Sequence, residues 1–287
     1  MISRTLKIKT ILPKARVGTR VLALSLAALP LAFAGFGAKA ETLQAAYSVR
    51  IIGLTLGTAG LVGSIEPNGY RLEASAKLAG IASAVTKSEG GATSTGSIVR
   101  GRVLPATYAS ASQNSKETRT VRMALNAGNV SGAEIMPPPD PYPDRIPVTE
   151  AQKRGIIDPL SALIMPVSTP GPLVGPEACA RTIPIYDGIT RFDVPLSYVG
   201  TRRMEIAGYI GPVAVCSARY RPISGHRANR EATKFMADNR QMEVWLAPLE
   251  EARALAPVRI SVATMIGMLV IEATRFQTSP STTASTR

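Results

Sequence analysis

The sequence predicts a mainly β protein, an antiparallel, strongly curved sheet or half-open barrel with one or two short helices packed on it. Three observations carry that expectation. Apolar and polar residues alternate with period two in segment after segment, as they do on half-buried antiparallel strands. Glycine-containing turn pairs punctuate the alternating runs. Between them stand proline-rich stretches, and sustained helical periodicity is scarce.

The first forty residues stand apart. Arg4, Lys7, Lys9, Lys14, Arg16 and Arg20 make a basic start without an acid, "VLALSLAALPLAFAGFG" follows from Val21 to Gly37, and then comes "AKA". This is the order of an export signal, with cleavage expected after Ala40. The apolar run is interrupted by Pro30 and is short for a membrane span. The formal net charge of +13 is largely a property of this segment. Residues 1–40 hold seven Lys and Arg and no acid, so residues 41–287 keep 33 − 7 = 26 basic against 20 acidic side chains, a net of +6. A modest positive charge suits an anionic envelope surface. Scattered cations, few aromatics and an export signal argue against nucleic-acid binding.

From Glu41 to Gln277 a single β-rich domain is expected. "YRLEASAKL" sets Tyr70, Leu72, Ala74, Ala76 and Leu78 on one face. Val121, Met123 and Leu125 alternate, as do Met242, Val244 and Leu246, and then Val258, Ile260 and Val262. Asn68-Gly69, Asp187-Gly188 and Ile266-Gly267 are placed as hairpin turns. "MPPPDPYPDRIPV", Met136 to Val148, reads as an extended connector. In "DPLSALIM", Asp158 fits an N-cap and Pro159 the first helical position, so a short helix with Leu160, Leu163 and Ile164 on one face is expected. "HRANREATKFMADNR" is a second short helix or a long loop, and residues 278–287 read as a disordered tail.

Two cysteines and one histidine bound the chemistry. In an oxidising compartment Cys179 and Cys216 are expected to form a disulfide, a redox pair being the rival reading. His226 is the one imidazole any Ser-His-Asp or Cys-His centre could use, and no zinc spacing is present. Nucleotide loops and the nucleophile-elbow motif are absent. No cofactor, nucleotide or metal is expected.

"IPIYDGITRFDVPL", Ile183 to Leu196, holds the candidate site. A two-residue type I′ turn at Asp187-Gly188 would pair Tyr186 with Ile189 and Pro184 with Arg191. Ile183, Ile185, Phe192, Val194 and Leu196 then share one face. Arg191 and Asp193 share the other, as a solvated neighbouring pair or as part of a concave polar surface with Arg221 and His226. An arginine fork suits carboxylate or phosphate groups. Arg191, Asp193, Arg221 and His226 are the candidate ligand-binding residues; no catalytic residue is assigned.

Read in order, "YSVRIIGLTLGTAG", "DPLSALI", Cys179, "IYDGITRFDV", Cys216, "RPISGH", "APL" and "PVRISVATMIGMLVIEATRF" resemble an exported proteobacterial family called domain of unknown function 3108. The resemblance runs from about Ala46 to Phe276. It implies a secreted β-rich protein and carries over no catalytic residue. Its sheet is similar, at the level of fold, to half-open barrels that hold lipids. The expectation is therefore a periplasmic, non-enzymatic envelope protein that takes an apolar or amphipathic ligand, a lipid or envelope component, or a protein partner in the concavity of its sheet. The alternative is a hydrolase of an envelope polymer, working with carboxylates such as Glu66 with Glu73 or Asp187 with Asp193.

Overall fold

The computed structural model describes residues 39–79, 88–115 and 117–280. All of the expected signal peptide except Lys39 and Ala40 lies outside them, as do residues 281–287 of the expected tail.

The strands are β1 (Glu41–Ile51), β2 (Leu54–Glu66), β3 (Gly69–Leu78), β4 (Glu89–Val99), β5 (Arg102–Gln113), β6 (Thr118–Asn126) and β7 (Asn129–Met136). After the connector come β8 (Met165–Pro166), β9 (Thr182–Tyr186), β10 (Arg191–Ile206), β11 (Tyr209–Ala218), β12 (Arg221–Ser224), β13 (Met242–Leu249), β14 (Ala254–Thr264) and β15 (Gly267–Pro280). One helix, α1, spans Glu231–Asp238. The hydrogen-bonded path is open and runs β12-β10-β11-β13-β14-β15-β1-β2-β3-β4-β5-β6-β7, with β8 on β14 and β9 on β10. All named pairs are antiparallel, so short hairpins suffice to connect them.

Three hairpins turn on two residues that both have positive φ: Ile52-Gly53, Arg100-Gly101 and Ala127-Gly128. This is the type I′ geometry, whose twist matches that of the strands. The sequence reading overlooked all three, because Ile, Arg and Ala stand where Asn or Asp is the usual signal. Two of its own turns are off by one: Glu66 pairs Gly69 around Pro67-Asn68, and Thr264 pairs Gly267 around Met265-Ile266.

The alternating faces are as the pattern requires. Tyr70 and Leu72 are buried between exposed Arg71 and Glu73, and Val121, Met123 and Leu125 are buried on β6. The sheet curls until its far strands meet the β9–β10 loop, where a side chain on Gly188 would reach within 2.6 Å of Val121 Cγ1. Closure at that seam is by side-chain packing. The chain from Ile156 to Val167 occupies part of the concavity, with Ile156, Leu160, Ile164 and Met165 buried.

That segment corrects the helix expected at 158–165. It holds only a 3₁₀ turn, Ser161–Leu163, before β8 begins. Asp158 still caps: its Oδ1 accepts from the N–H of Leu160 at 3.0 Å and of Ser161 at 2.9 Å. Met165-Pro166 then joins β14 as a strand, and its pairing outcompetes further helix. Of the segment read as a second short helix or a long loop, Glu231–Asp238 forms α1. Three residues of the expected tail are strand instead: Thr278, Ser279 and Pro280 pair with Leu43, Thr42 and Glu41.

Cys179 and Cys216 are joined, with their Cα atoms 5.6 Å apart. The bridge lies fully buried in a second apolar cluster with Ile183, Ile185, Leu196 and Leu246. It ties the loop before β9 to β11, so it sits under the hairpin that held the candidate residues.

Candidate functional site

The β9–β10 hairpin is not the two-residue one expected. Tyr186 pairs with Arg191 and Ile185 with Phe192, leaving Asp187 to Thr190 as a four-residue loop. Asp187 decides this: its Oδ1 accepts from the N–H of Ile189 at 2.8 Å and of Thr190 at 2.6 Å, an Asx-type closure. Gly188 has φ +98°, whereas Asp187 stays at negative φ. The predicted apolar face survives the change of register, with Ile183, Ile185 and Leu196 buried and Phe192 and Val194 packed against them.

Arg191 and Asp193 do pair, but not in open water. Arg191 Nη1 donates to Asp193 Oδ1 and to the Phe192 carbonyl, both at 2.6 Å, with the arginine side chain only 12% exposed. Asp193 stands opposite Arg221 across the β10–β12 ladder, and Arg191 opposite Ser224. His226 follows one residue after Gly225; its carbonyl accepts from the N–H of Ile146 at 3.0 Å, while its Nδ1 is buried without a hydrogen-bond partner among the described residues. The fold thus gathers Arg191, Asp193 and Arg221 on adjoining strands, with His226 at their end. They line neither of the two hollows described next.

One hollow lies on the inner face of the sheet, a cleft of about 410 Å³. Its floor comes from in-register small residues: Ala59, Ala76, Gly90 and Ser112 in one row, Ala74, Ala92 and Ser110 in the next. Leu163, Pro257, Ile260 and Ile271 wall it. Tyr47 also lines it, its hydroxyl donating to the Pro257 carbonyl at 2.8 Å. Burial raises the pKa of that hydroxyl, so it remains a neutral donor. Among the described residues no Asp, Glu, Lys, Arg, His or Cys lines the cleft, while Lys77 and Glu89 line an adjoining hollow of about 640 Å³ that shares Tyr47, Ala59, Ala76 and Ser112 with it. The small residues make the room, since Ala, Gly and Ser cannot fill the concavity that larger side chains close elsewhere. Alternation in the sequence puts Ala74 and Ala76 on the face of Tyr70 and Leu72, but carries no sign that nothing would cover them.

Beside the cleft, Asp158 anchors the inner segment to the wall. It is fully buried, and its Oδ2 accepts from Ser161 Oγ at 2.5 Å and from Ser94 Oγ at 3.0 Å. The Tyr70 hydroxyl lies 2.7 Å from Ser161 Oγ. Desolvation raises the Asp158 pKa, against the opposing effect of these hydrogen bonds. The network fixes Leu163 against β3–β5, and hence the wall of the cleft. The sequence marks Asp158 as a cap alone.

A second hollow, of about 450 Å³, opens at the end of the sheet carrying the Arg100-Gly101 and Ala127-Gly128 turns. Arg102, Arg181, Glu177, Ser168 and Thr169 give it a polar lining. Burial lowers the Arg181 pKa, opposed by the Glu177 carboxylate, and its Nη2 donates to the Glu177 carbonyl at 3.3 Å. Among the described residues no group of three His, Cys, Asp or Glu could hold a metal ion. None of their helices is long and apolar enough to cross a membrane.

Set against known proteins, residues 46–274 match the family described as "Protein of unknown function (DUF3108)". No curated protein matches the chain. Among solved structures, the crystal structure of a β-barrel-like protein of the domain of unknown function DUF1849 from Brucella abortus is similar to this chain at a TM-score of 0.42 and 7% identity. That match covers 84% of this chain and 98% of the other.

Proposed function

The chain belongs to the DUF3108 family, and we propose that it is an exported, non-enzymatic envelope protein that holds an apolar or amphipathic ligand in the inner cleft of its sheet. One observation carries the reading: a cleft of about 410 Å³ lined, among the described residues, by alanine, glycine, serine and aliphatic side chains with Tyr47, and by no charged group. Ligand sites are concave and mostly apolar, with a few placed polar groups. Here Ser110 and Ser112 supply those groups. Hydrolysis needs an acid and a base in reach of the bond; among the described residues no carboxylate, imidazole or amine lines the cleft, and burial raises the pKa of the Tyr47 hydroxyl. The carboxylates named for that alternative are engaged or apart. Asp187 is held by its own loop and Asp193 by Arg191. Glu66 and Glu73 are both exposed, and Glu73 pairs with Val62, four residues along β2 from Glu66 and so roughly 13 Å away. The basic start and the "AKA" site support export, and a buried disulfide suits an oxidising compartment.

The test is a titration of the purified protein with a fluorescent long-chain fatty acid. Saturable binding at micromolar concentration, displaced by unlabelled oleate, is expected. Absence of saturable binding rules the reading out.

A further inference from the structure

The polar hollow of about 450 Å³ holds a cation that the fold leaves without a bound acid. Arg181 is half-buried, and taking its charge out of water is unfavourable. Its Nη2 donates to the Glu177 carbonyl at 3.3 Å, and its Nε is buried without a hydrogen-bond partner among the described residues. Glu177 is the carboxylate whose charge supports Arg181, yet it stands exposed and touches the arginine only through its backbone oxygen. The position is fixed from both sides. The Arg181 N–H donates to the Cys179 carbonyl at 2.8 Å, its carbonyl accepts from the Leu196 N–H at 2.9 Å, and Cys179 is bonded to Cys216. A cation held rigidly in a hollow without its counter-ion is a candidate binding group.

The charge around the hollow is unbalanced when every neighbouring acid is counted. Arg102 lines it together with Arg181. Arg100 and Arg154 adjoin the lining residues Gly101 and Gly155, and Arg253 Nη2 donates to the carbonyl of the lining residue Thr169 at 2.9 Å. Against these five arginines stand four carboxylates. Glu177 lines the hollow and Glu250 shares a turn with Arg253. The other two are buried and turned elsewhere, Glu41 to the Ala252 N–H and Asp158 to Ser94 and Ser161. Lys39 pairs with Glu251 and Lys153 with Glu150, and these ion pairs cancel.

We propose that this hollow binds a small organic acid, its carboxylate taken by Arg181 and Arg102 and its apolar body laid against Ile156, Ile164, Met165 and Val167. A guanidinium fork matches a carboxylate. The four apolar side chains are buried and line the hollow, so they favour an acid with a hydrocarbon body over a bare inorganic anion. Glu177 in the lining disfavours a second negative charge on the ligand. The hollow shares no lining residue with the inner cleft: Ala162 and Ile164 line the one, Leu163 the other. It therefore binds independently of whatever the cleft holds.

The experiment is a calorimetric titration of the protein from Glu41 onward with octanoate, and with 1-octanol and inorganic phosphate as probes that each lack one half of it. Saturable binding of octanoate is expected, with both control probes at least tenfold weaker. Arg181→Gln should weaken octanoate at least tenfold and Arg102→Gln severalfold, whereas Glu177→Gln, which removes the opposing charge, should tighten it. Ala76→Phe, which fills the inner cleft, should leave it unchanged. Arg102 is exposed, so its variant decides the matter if Arg181→Gln melts below wild type. Absence of saturable octanoate binding, a phosphate or octanol affinity equal to that of octanoate, or undiminished binding by the arginine variants would overturn the proposal. So would loss of binding in Ala76→Phe with wild-type affinity in Arg181→Gln, which would assign the octanoate to the inner cleft.

Discussion

Asp158 shows how one buried acid couples stability to pH. Its pKa is raised in the fold because burial disfavours the charged form more than its hydrogen bonds favour it. The folded state therefore holds the proton more tightly than the unfolded state, and stability falls as pH rises from about 4 through the raised value. Asp158→Asn, which imitates the protonated acid, should narrow this dependence. Thermal melts between pH 4 and 8 should show wild type losing stability relative to the variant as pH increases. Asp158→Ala leaves the Leu160 and Ser161 N–H groups and two hydroxyls without their acceptor and should cost about 1–3 kcal/mol or more. At the other candidate residues the structure revises the expected magnitudes. Arg191→Ala breaks a largely buried pair and should cost about 1.5–3 kcal/mol instead of the small loss of a solvated one. Gly188→Val combines a φ of +98° with a 2.6 Å approach to Val121 Cγ1, and should lose on the order of 3 kcal/mol in a denaturant melt. An unchanged midpoint for Gly188→Val would mean the loop does not seat against β6.

At the scale of elements, the disulfide is a staple between the loop ahead of β9 and β11. Its loop of 216 − 179 + 1 = 38 residues corresponds to about 4 kcal/mol of constraint on the unfolded chain. Cys179→Ser with Cys216→Ser should lower the melting temperature while retaining the strand signature in far-ultraviolet circular dichroism; loss of that signature would mean the sheet depends on the bridge. Strands were the most legible feature of the sequence, because side-chain period two is a local property: β3 and β6 can be read residue by residue. Turns were less so. Ile52-Gly53 carries none of the usual signal residues, and the Asp187 loop is set by a carboxylate reaching two N–H groups, which lengthens it from two residues to four. The 158–165 helix failed for a tertiary reason. Met165 and Pro166 gain a strand partner in β14 and a buried position, which a helix would forfeit.

For the whole molecule, the small residues of β2 to β5 matter through what does not cover them. Alternation located Ala74 and Ala76 on the inner face, but whether the concavity would be filled depended on how far the 156–167 segment reaches. Leu163 walls the cleft without filling it. Arg191, Asp193 and Arg221 were found by charge and do assemble, yet on the β10–β12 ladder, outside the cleft. Long-range closure of the sheet has no short-range signature, so the site could not be read where the strands could. The central claim is that the inner cleft holds an apolar ligand, and a steric block tests it most directly. Ala76 and Ser112 are exposed on the cleft floor, so a larger side chain at either should fill the space without disturbing the core. Fluorescent fatty-acid titrations of Ala76→Phe and Ser112→Phe, each with a wild-type melting temperature, are predicted to show affinity reduced at least tenfold. Wild-type affinity in both variants would contradict the account.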